Sequence, residues 1–276
     1  LRRQRQMCIR DSPTGESGDF EKANFPIGVE GGKTSTCPTQ NLMEAYDMKD
    51  GTPFVWNNQS NPYDNRDPRM KYTIVCNEMK WPVDPVEIWE GGTNGLPLQN
   101  ATTTGYYLKK YVNNTISFEA GSTVTKKQHN WVLFRYGEIL LNYAEAMINA
   151  FHDPNYKDAV YNMSAREAVN QIRGRTNISL PGFPSDITEK DFVKRLKNER
   201  RVELAFEGHR FWDVRRWKEL GQTANIYGVK ITKNNEVISY EKFLLETRAV
   251  TDNMYFYPIP NTERFKNPNL GQNPGW

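Results

Sequence analysis

The clearest alternation of apolar and polar positions lies between Phe192 and Phe206. Placed at about 100° per residue, Phe192, Leu196, Val202 and Phe206 share one arc, which predicts a helix. Glu199 falls inside that arc and Glu203 close to it. A carboxylate in an apolar stripe is rarely buried unless it is paired. Gly208 interrupts the pattern, and a second amphipathic turn follows with Phe211, Val214 and Trp217. The expected arrangement is two helical pieces locked by arginine–carboxylate pairs, with Glu199, Glu203, Arg210 and Arg215 as structural ion-pair members and Arg216 beside them. The competing reading puts these charges in a ligand site.

Upstream, Val132–Ala150 predicts a helix with Leu133, Tyr136, Ile139, Leu140, Tyr143, Ala144 and Met147 on its inner face. Ser164 and Glu167 form the S-x-x-E capping box of another helix, which carries Ala165, Ala168, Val169 and Ile172 inward and ends near Gly174. Alanines on both inner faces suit a close αα-hairpin resembling one tetratricopeptide-like unit. Residues 13 to about 130 are loop-rich instead. They hold a short helix at Thr39–Met48 capped by Thr39, and β-like stretches at Lys71–Cys76 and Gly105–Val112. Tyr227–Ile231 and the alternation at Tyr255–Tyr257 predict two further strands, the second leading into an extended tail.

Composition narrows the class. The chain has 276 residues, enough to bury a substantial core, and 12% are aromatic. The net charge of +3 comes from 36 basic and 33 acidic residues scattered along the chain. No basic stripe that would track phosphates stands out, so nucleic acid is not an expected partner. No apolar run reaches the length of a membrane span. Cys8, Cys37 and Cys76 are far apart and outside any CxxC pair, which argues against zinc; Cys37 and Cys76 could pair or remain free thiols. Residues 1–20 begin with LRRQRQMCIRD, which has no apolar core of a signal peptide, and are set aside as a non-native or disordered stretch.

Several segments together resemble the SusD/RagB family of nutrient-uptake lipoproteins. In chain order they are PTQNLMEAYDMKDG (Pro38–Gly51), NPYDNRDPR (Asn61–Arg69), TTGYYLKKYV (Thr103–Val112), RYGEILLNYAEA (Arg135–Ala146), AVNQIRGR (Ala168–Arg175), NERRVELAFEGHRFWDVRRW (Asn198–Trp217), YPIP (Tyr257–Pro260) and NPNLGQNPGW (Asn267–Trp276). The resemblance implies that residues 21–276 are the C-terminal part of a single SusD-like domain, mainly α with irregular loops, a few short strands and tetratricopeptide-like helix pairs. It further implies an outer-membrane, cell-surface protein of Bacteroidetes-type bacteria, anchored through a lipidated N-terminal cysteine that this sequence lacks. Such a protein would bind an oligosaccharide without a cofactor and deliver it to a TonB-dependent SusC-like barrel. In a bacterial protein the N-x-S/T sequons at Asn58, Asn100, Asn113, Asn162 and Asn177 would be incidental.

Catalytic patterns are sparse. The three histidines, His129, His152 and His209, lack metal-ligand spacing, and no HExxH, GxSxG, Walker or Rossmann pattern occurs. The expectation is a binding protein rather than an enzyme. Sugar binding needs rigid aromatic faces with amides nearby. Trp56, Asn57, Tyr63, Trp81 and Trp89 are the candidates, because Trp56 has polar neighbours and Trp81 and Trp89 flank WPVDPVEIWE. Trp131, Trp212 and Trp217 are expected in the core and Trp276 as a tail anchor. Asp64, Arg66, Asp67 and Arg69 could touch ligand, but a local turn and ion-pair network fits their spacing better. Peptide binding on the same architecture, a protein-binding scaffold and a glycoside hydrolase are the alternatives.

Overall fold

A computed structural model describes residues 8–57 and 61–276; the Asn58 sequon and the first seven residues of the N-terminal stretch lie outside them. In chain order the elements are β1 (Cys8–Ser17), α1 (Asp19–Asn24), α2 (Gln40–Met43), α3 (Pro68–Thr73), β2 (Ile74–Val75) and β3 (Tyr107–Leu108). Then come β4 (Lys127–Arg135), α4 (Tyr136–Phe151), α5 (Ala165–Arg173), α6 (Glu189–Glu203), α7 (His209–Arg216), β5 (Asn225–Asn234), β6 (Val237–Thr247) and α8 (Asn261–Lys266). Among the described residues the strands form three antiparallel pairs, β1–β4, β2–β3 and β5–β6.

Local chemistry sets the boundaries. The Thr39 hydroxyl accepts from the Leu42 amide and opens α2, and the reciprocal Ser164–Glu167 capping box opens α5. Asp67 caps α3, whose first residue is Pro68. Gly208, at φ +81°, turns the chain from α6 into α7 in a conformation that a side chain disfavours. The β5–β6 hairpin turns at Asn235, also left-handed, where asparagine is tolerated.

Two apolar cores result. One gathers the loop-rich half around Met43, Tyr46, Met70, Ile74, Tyr106 and Tyr107, with Val229 and Ile231 of β5 against it. The other lies between α4, α5 and α6 and includes Leu141, Ala144, Ala168, Ile172, Phe192 and Leu196. Helix α6 serves both, since its Val202 belongs to the first core and its Phe192 and Leu196 to the second.

Several expectations need revision. The helix predicted from Val132 starts only at Tyr136, because residues 127–135 pair as β4 with β1. Its buried face runs through Gly137, Leu140, Leu141, Ala144, Met147 and Ile148, while Tyr136 and Ile139 are exposed. The helix has apolar residues on most sides, and packing on α5 and α6 selects Leu141 and Ile148. Trp131 and Trp212 are 54% and 59% exposed rather than core. Trp131 lies on a two-stranded ribbon and stacks on Tyr111; Trp212 projects from the side of α7 opposite buried Val214. No strand forms at Tyr255–Tyr257: Asp252–Tyr255 is a 3-10 turn. Trp276 does anchor the tail, its indole donating to the carbonyls of Asn253 and Phe256. Residues 8–17, expected to lie in a non-native or disordered stretch, form β1 because the edge of β4 offers free backbone partners. Cys37 and Cys76 are both free thiols, and burial pushes Cys76 up to about 12.

Candidate functional site

The charged segment at Glu199 is a clamp between the two cores. Arg69 of α3 donates to Glu199, to Glu203 at 2.9 Å and to Asp67 at 2.7 Å. Arg173 of α5 reaches Glu199 at 2.7 Å, and Arg175 and Arg135 close on Glu203 at 2.7 and 2.6 Å. Glu199 and Glu203 are almost fully buried, yet both are held below the ordinary carboxylate range. Burial opposes ionisation, and the arginines around them outweigh it. Glu199 and Glu203 are both ion-paired, but with Arg69, Arg173, Arg175 and Arg135, and the two arginines expected beside them are elsewhere. Arg210 bonds to Gln222 at 2.8 Å, and Arg215 stacks on Phe211 at 3.5 Å. The turn at Gly208 swings α7 away from Glu199, whose carboxylate faces α3 and α5 instead. NPYDNRDPR is structural as well: Arg66 donates to the carbonyls of Met43, Tyr46 and Pro62, and Arg69 to Asp67.

The five aromatic-site candidates separate. Tyr63 is 6% exposed and packs edge-on against Tyr106 and Tyr240. Trp81 is likewise 6% exposed in the first core. Neither ring is open enough to stack on a sugar, and the Lys109 ammonium lies 5.0 Å from the Trp81 ring centre. Trp89 is half-buried with the Lys233 ammonium 4.4 Å from its ring centre. Trp56 is half-buried and meets Phe54 edge-to-face at 6.4 Å, and Asn57 beside it is exposed.

Phe54 leads to a groove of about 470 Å3, the size range of small-molecule sites. One wall is the end of α2 and the loop through Asp47, Pro53 and Phe54; the other is the outer face of α6, with Arg210 of α7 and Gln222 closing one end. The Arg66 guanidinium lies 3.6 Å from the Phe54 ring centre and fixes that ring from behind. Along α6 the groove meets Lys190, Lys194, Lys197 and Arg201, which share one helical face at spacings of four, three and four. That stripe was legible in the sequence. No spacing rule makes it a site, because α2 and the Phe54 loop, which turn the face into a groove, are far away in the chain. Among the described residues no group of three or more His, Cys, Asp or Glu could hold a metal ion, and no helix is long and apolar enough to cross a membrane.

The SusD family model matches residues 8–276. The chain belongs to the SusD family. SusD-like protein P2 of Formosa agariphila is 29% identical over 163 residues, 57% of this chain and 28% of the relative. SusD-like protein P38 of the same organism is 37% identical over 150 residues, 52% of this chain and 24% of the relative. A crystal structure of a SusD-like protein from Bacteroides fragilis superposes with a TM-score of 0.77 at 26% identity, covering 98% of this chain and 54% of that one. A second structure from that organism, described as a SusD-like carbohydrate binding protein, gives 0.75 at 24% identity, covering 96% and 54%. The SusD fold, mostly helical with a few strands, is therefore the fold of this chain, which spans about half the length of those solved structures.

Proposed function

We propose that this SusD-family chain belongs to a cell-surface glycan-binding subunit that passes its oligosaccharide to a SusC-like, TonB-dependent outer-membrane barrel. The observation that carries the binding part is the groove beside Phe54 and Trp56. It is concave and combines the Phe54 ring with Asn198, Gln222 and charged groups that can meet hydroxyls, the mixture that sugar recognition requires. Phe54, which lines the groove, joins the site candidates; Trp56, in edge contact with Phe54, and Asn57 beside it remain candidates outside the lining. Trp89 is retained only as a separate, half-buried ring. Family membership supports surface location, lipid anchoring and the barrel partner. The subunit acts by binding, without a cofactor and without cleaving its ligand.

Isothermal titration of the chain against neutral and acidic oligosaccharides, alongside peptides, tests the reading. Binding of at least one oligosaccharide, with no reducing ends released on incubation, is the expected result. Binding of peptides alone would replace the glycan with a peptide ligand, and release of reducing ends would restore the hydrolase.

A further inference from the structure

The groove has an imbalance that the clamp lacks. Its carboxylates already have cations: Glu44 meets Lys242 at 2.8 Å, Asp47 meets Arg173 at 3.3 Å and Arg195 at 3.7 Å, and Glu219 meets Lys197 at 2.5 Å. Lys190, Lys194, Arg201 and Arg210 are left over, with no carboxylate within 4.0 Å among the described residues. Arg201 gives one hydrogen bond, 2.8 Å, to the Asn41 carbonyl, and Arg210 gives one to Gln222; both acceptors are neutral. A guanidinium carries five donors, so most of theirs have no protein partner. Desolvation, with Arg210 as the next cause, pulls Arg201 down to about 10. Arginines sheltered from water are normally paired. The preceding residue on the same helix, Arg200, is paired with Asp213 at 2.8 Å. Thus α6 pairs its charges on the core side, while in the groove Lys190, Lys194 and Arg201 have no salt-bridge partner among the described residues.

We infer that the groove binds the acidic groups of a glycan, carboxylate or sulfate ester, with Arg201 and Arg210 as the contacting residues and Lys190 and Lys194 as steering charges at the mouth. This rests on the glycan-binding reading above and narrows it to anionic polysaccharides. Guanidinium forks match both oxyanions in geometry, and an anion there would supply the charge that the protein withholds. The exposed ammonium groups would raise the local concentration of a polyanion. A nucleic acid strand is the competing polyanion; the SusD family match favours the glycan, and the titration includes an oligonucleotide.

The test is titration of the chain with a neutral glucan oligosaccharide, an oligogalacturonate, a sulfated galactan oligosaccharide and a single-stranded oligonucleotide. The expected result is binding of one or both acidic glycans at least about tenfold more tightly than the glucan, and weakening as salt rises from about 0.05 to 0.5 M. The two acidic arms separate carboxylate from sulfate. Arg201→Gln and Arg210→Gln should each lower acidic-glycan affinity about tenfold or more, the range for a charge-assisted hydrogen bond. Each variant loses one hydrogen bond to a neutral acceptor, so any fall in melting temperature should be small; the exposed pair Lys190→Gln and Lys194→Gln slows association and repeats the test where folding is not at stake. Equal, salt-independent binding of the neutral glucan, unchanged in Arg201→Gln, would overturn the acidic assignment and leave glycan binding intact. Binding of the oligonucleotide alone, or of no glycan, would remove the glycan reading itself.

Discussion

Glu199→Ala tests the clamp most directly. The substitution removes a carboxylate that faces Arg69 and Arg173, and the two arginines are left in different positions. Arg69 keeps Asp67 at 2.7 Å and Glu203 at 2.9 Å, so its charge stays compensated. Arg173 keeps the Pro181 carbonyl at 2.8 Å and a longer contact with Asp47 at 3.3 Å, while its side chain is 1% exposed. Breaking a buried pair from one side costs about 3–5 kcal/mol. With only one arginine stranded, the lower end applies, about 3 kcal/mol. For a chain of this size that lowers the melting temperature by about 6–12 °C. Urea denaturation followed by far-UV circular dichroism measures the loss. The double variant Glu199→Ala with Arg173→Met identifies the cause: a stranded Arg173 predicts a double variant less destabilised than the sum of the singles, by about 1–3 kcal/mol. A single-variant loss below about 0.5 kcal/mol, the scale of surface sites, would refute burial of the pair. Strict additivity would refute the assignment to Arg173.

Other predictions follow from the same geometry. Glu199, Glu203, Glu207 and Glu145 are all held below the ordinary value of 4.5 by their arginine and lysine partners. The stability they contribute is therefore complete above about pH 4.5 and is lost as pH falls toward their folded values; Asp47, raised by burial, acts in the opposite sense as a single group. A urea-midpoint series from pH 7 to pH 3 should be flat and then fall below about 4.5, and a midpoint unchanged down to pH 3 would contradict the pairing. Phe54→Ala and Trp56→Ala should each weaken oligosaccharide binding about tenfold, the scale of an aromatic contact with its buried area; a variant with unaltered affinity places its ring outside the site. Gly208→Ala has open space for its methyl group, so its cost is conformational alone, about 1–2 kcal/mol for a left-handed residue; an unchanged urea midpoint would show that the α6–α7 turn relaxes freely.

What the sequence disclosed and what it hid both turn on α6. Period and capping located α5, the core of α4 and both carboxylates of the clamp, because each signal lies within one or two helical turns. The partners of those carboxylates come from α3, α5, Arg175 just beyond α5 and Arg135 at the end of β4, more than twenty residues away, and no spacing rule reaches them. Sequence neighbours therefore suggested Arg210 and Arg215, which the left-handed Gly208 turns elsewhere. The aromatic candidates failed for a related reason. Tyr63 and Trp81 sit in polar, proline-punctuated stretches, yet a loop-rich half must build its core from loop residues, and large rings fill that space. Conversely, Trp131 and Trp212 have apolar neighbours but lie on a two-stranded ribbon and on the outer side of a short helix. The basic stripe of α6 shows the remaining gap. Its spacing can be read directly, but a stripe becomes a site only when a second wall makes a groove of it. Here α2 and the Phe54 loop provide that wall, and so the ligand chemistry of α6 is set by residues that its own sequence does not contain.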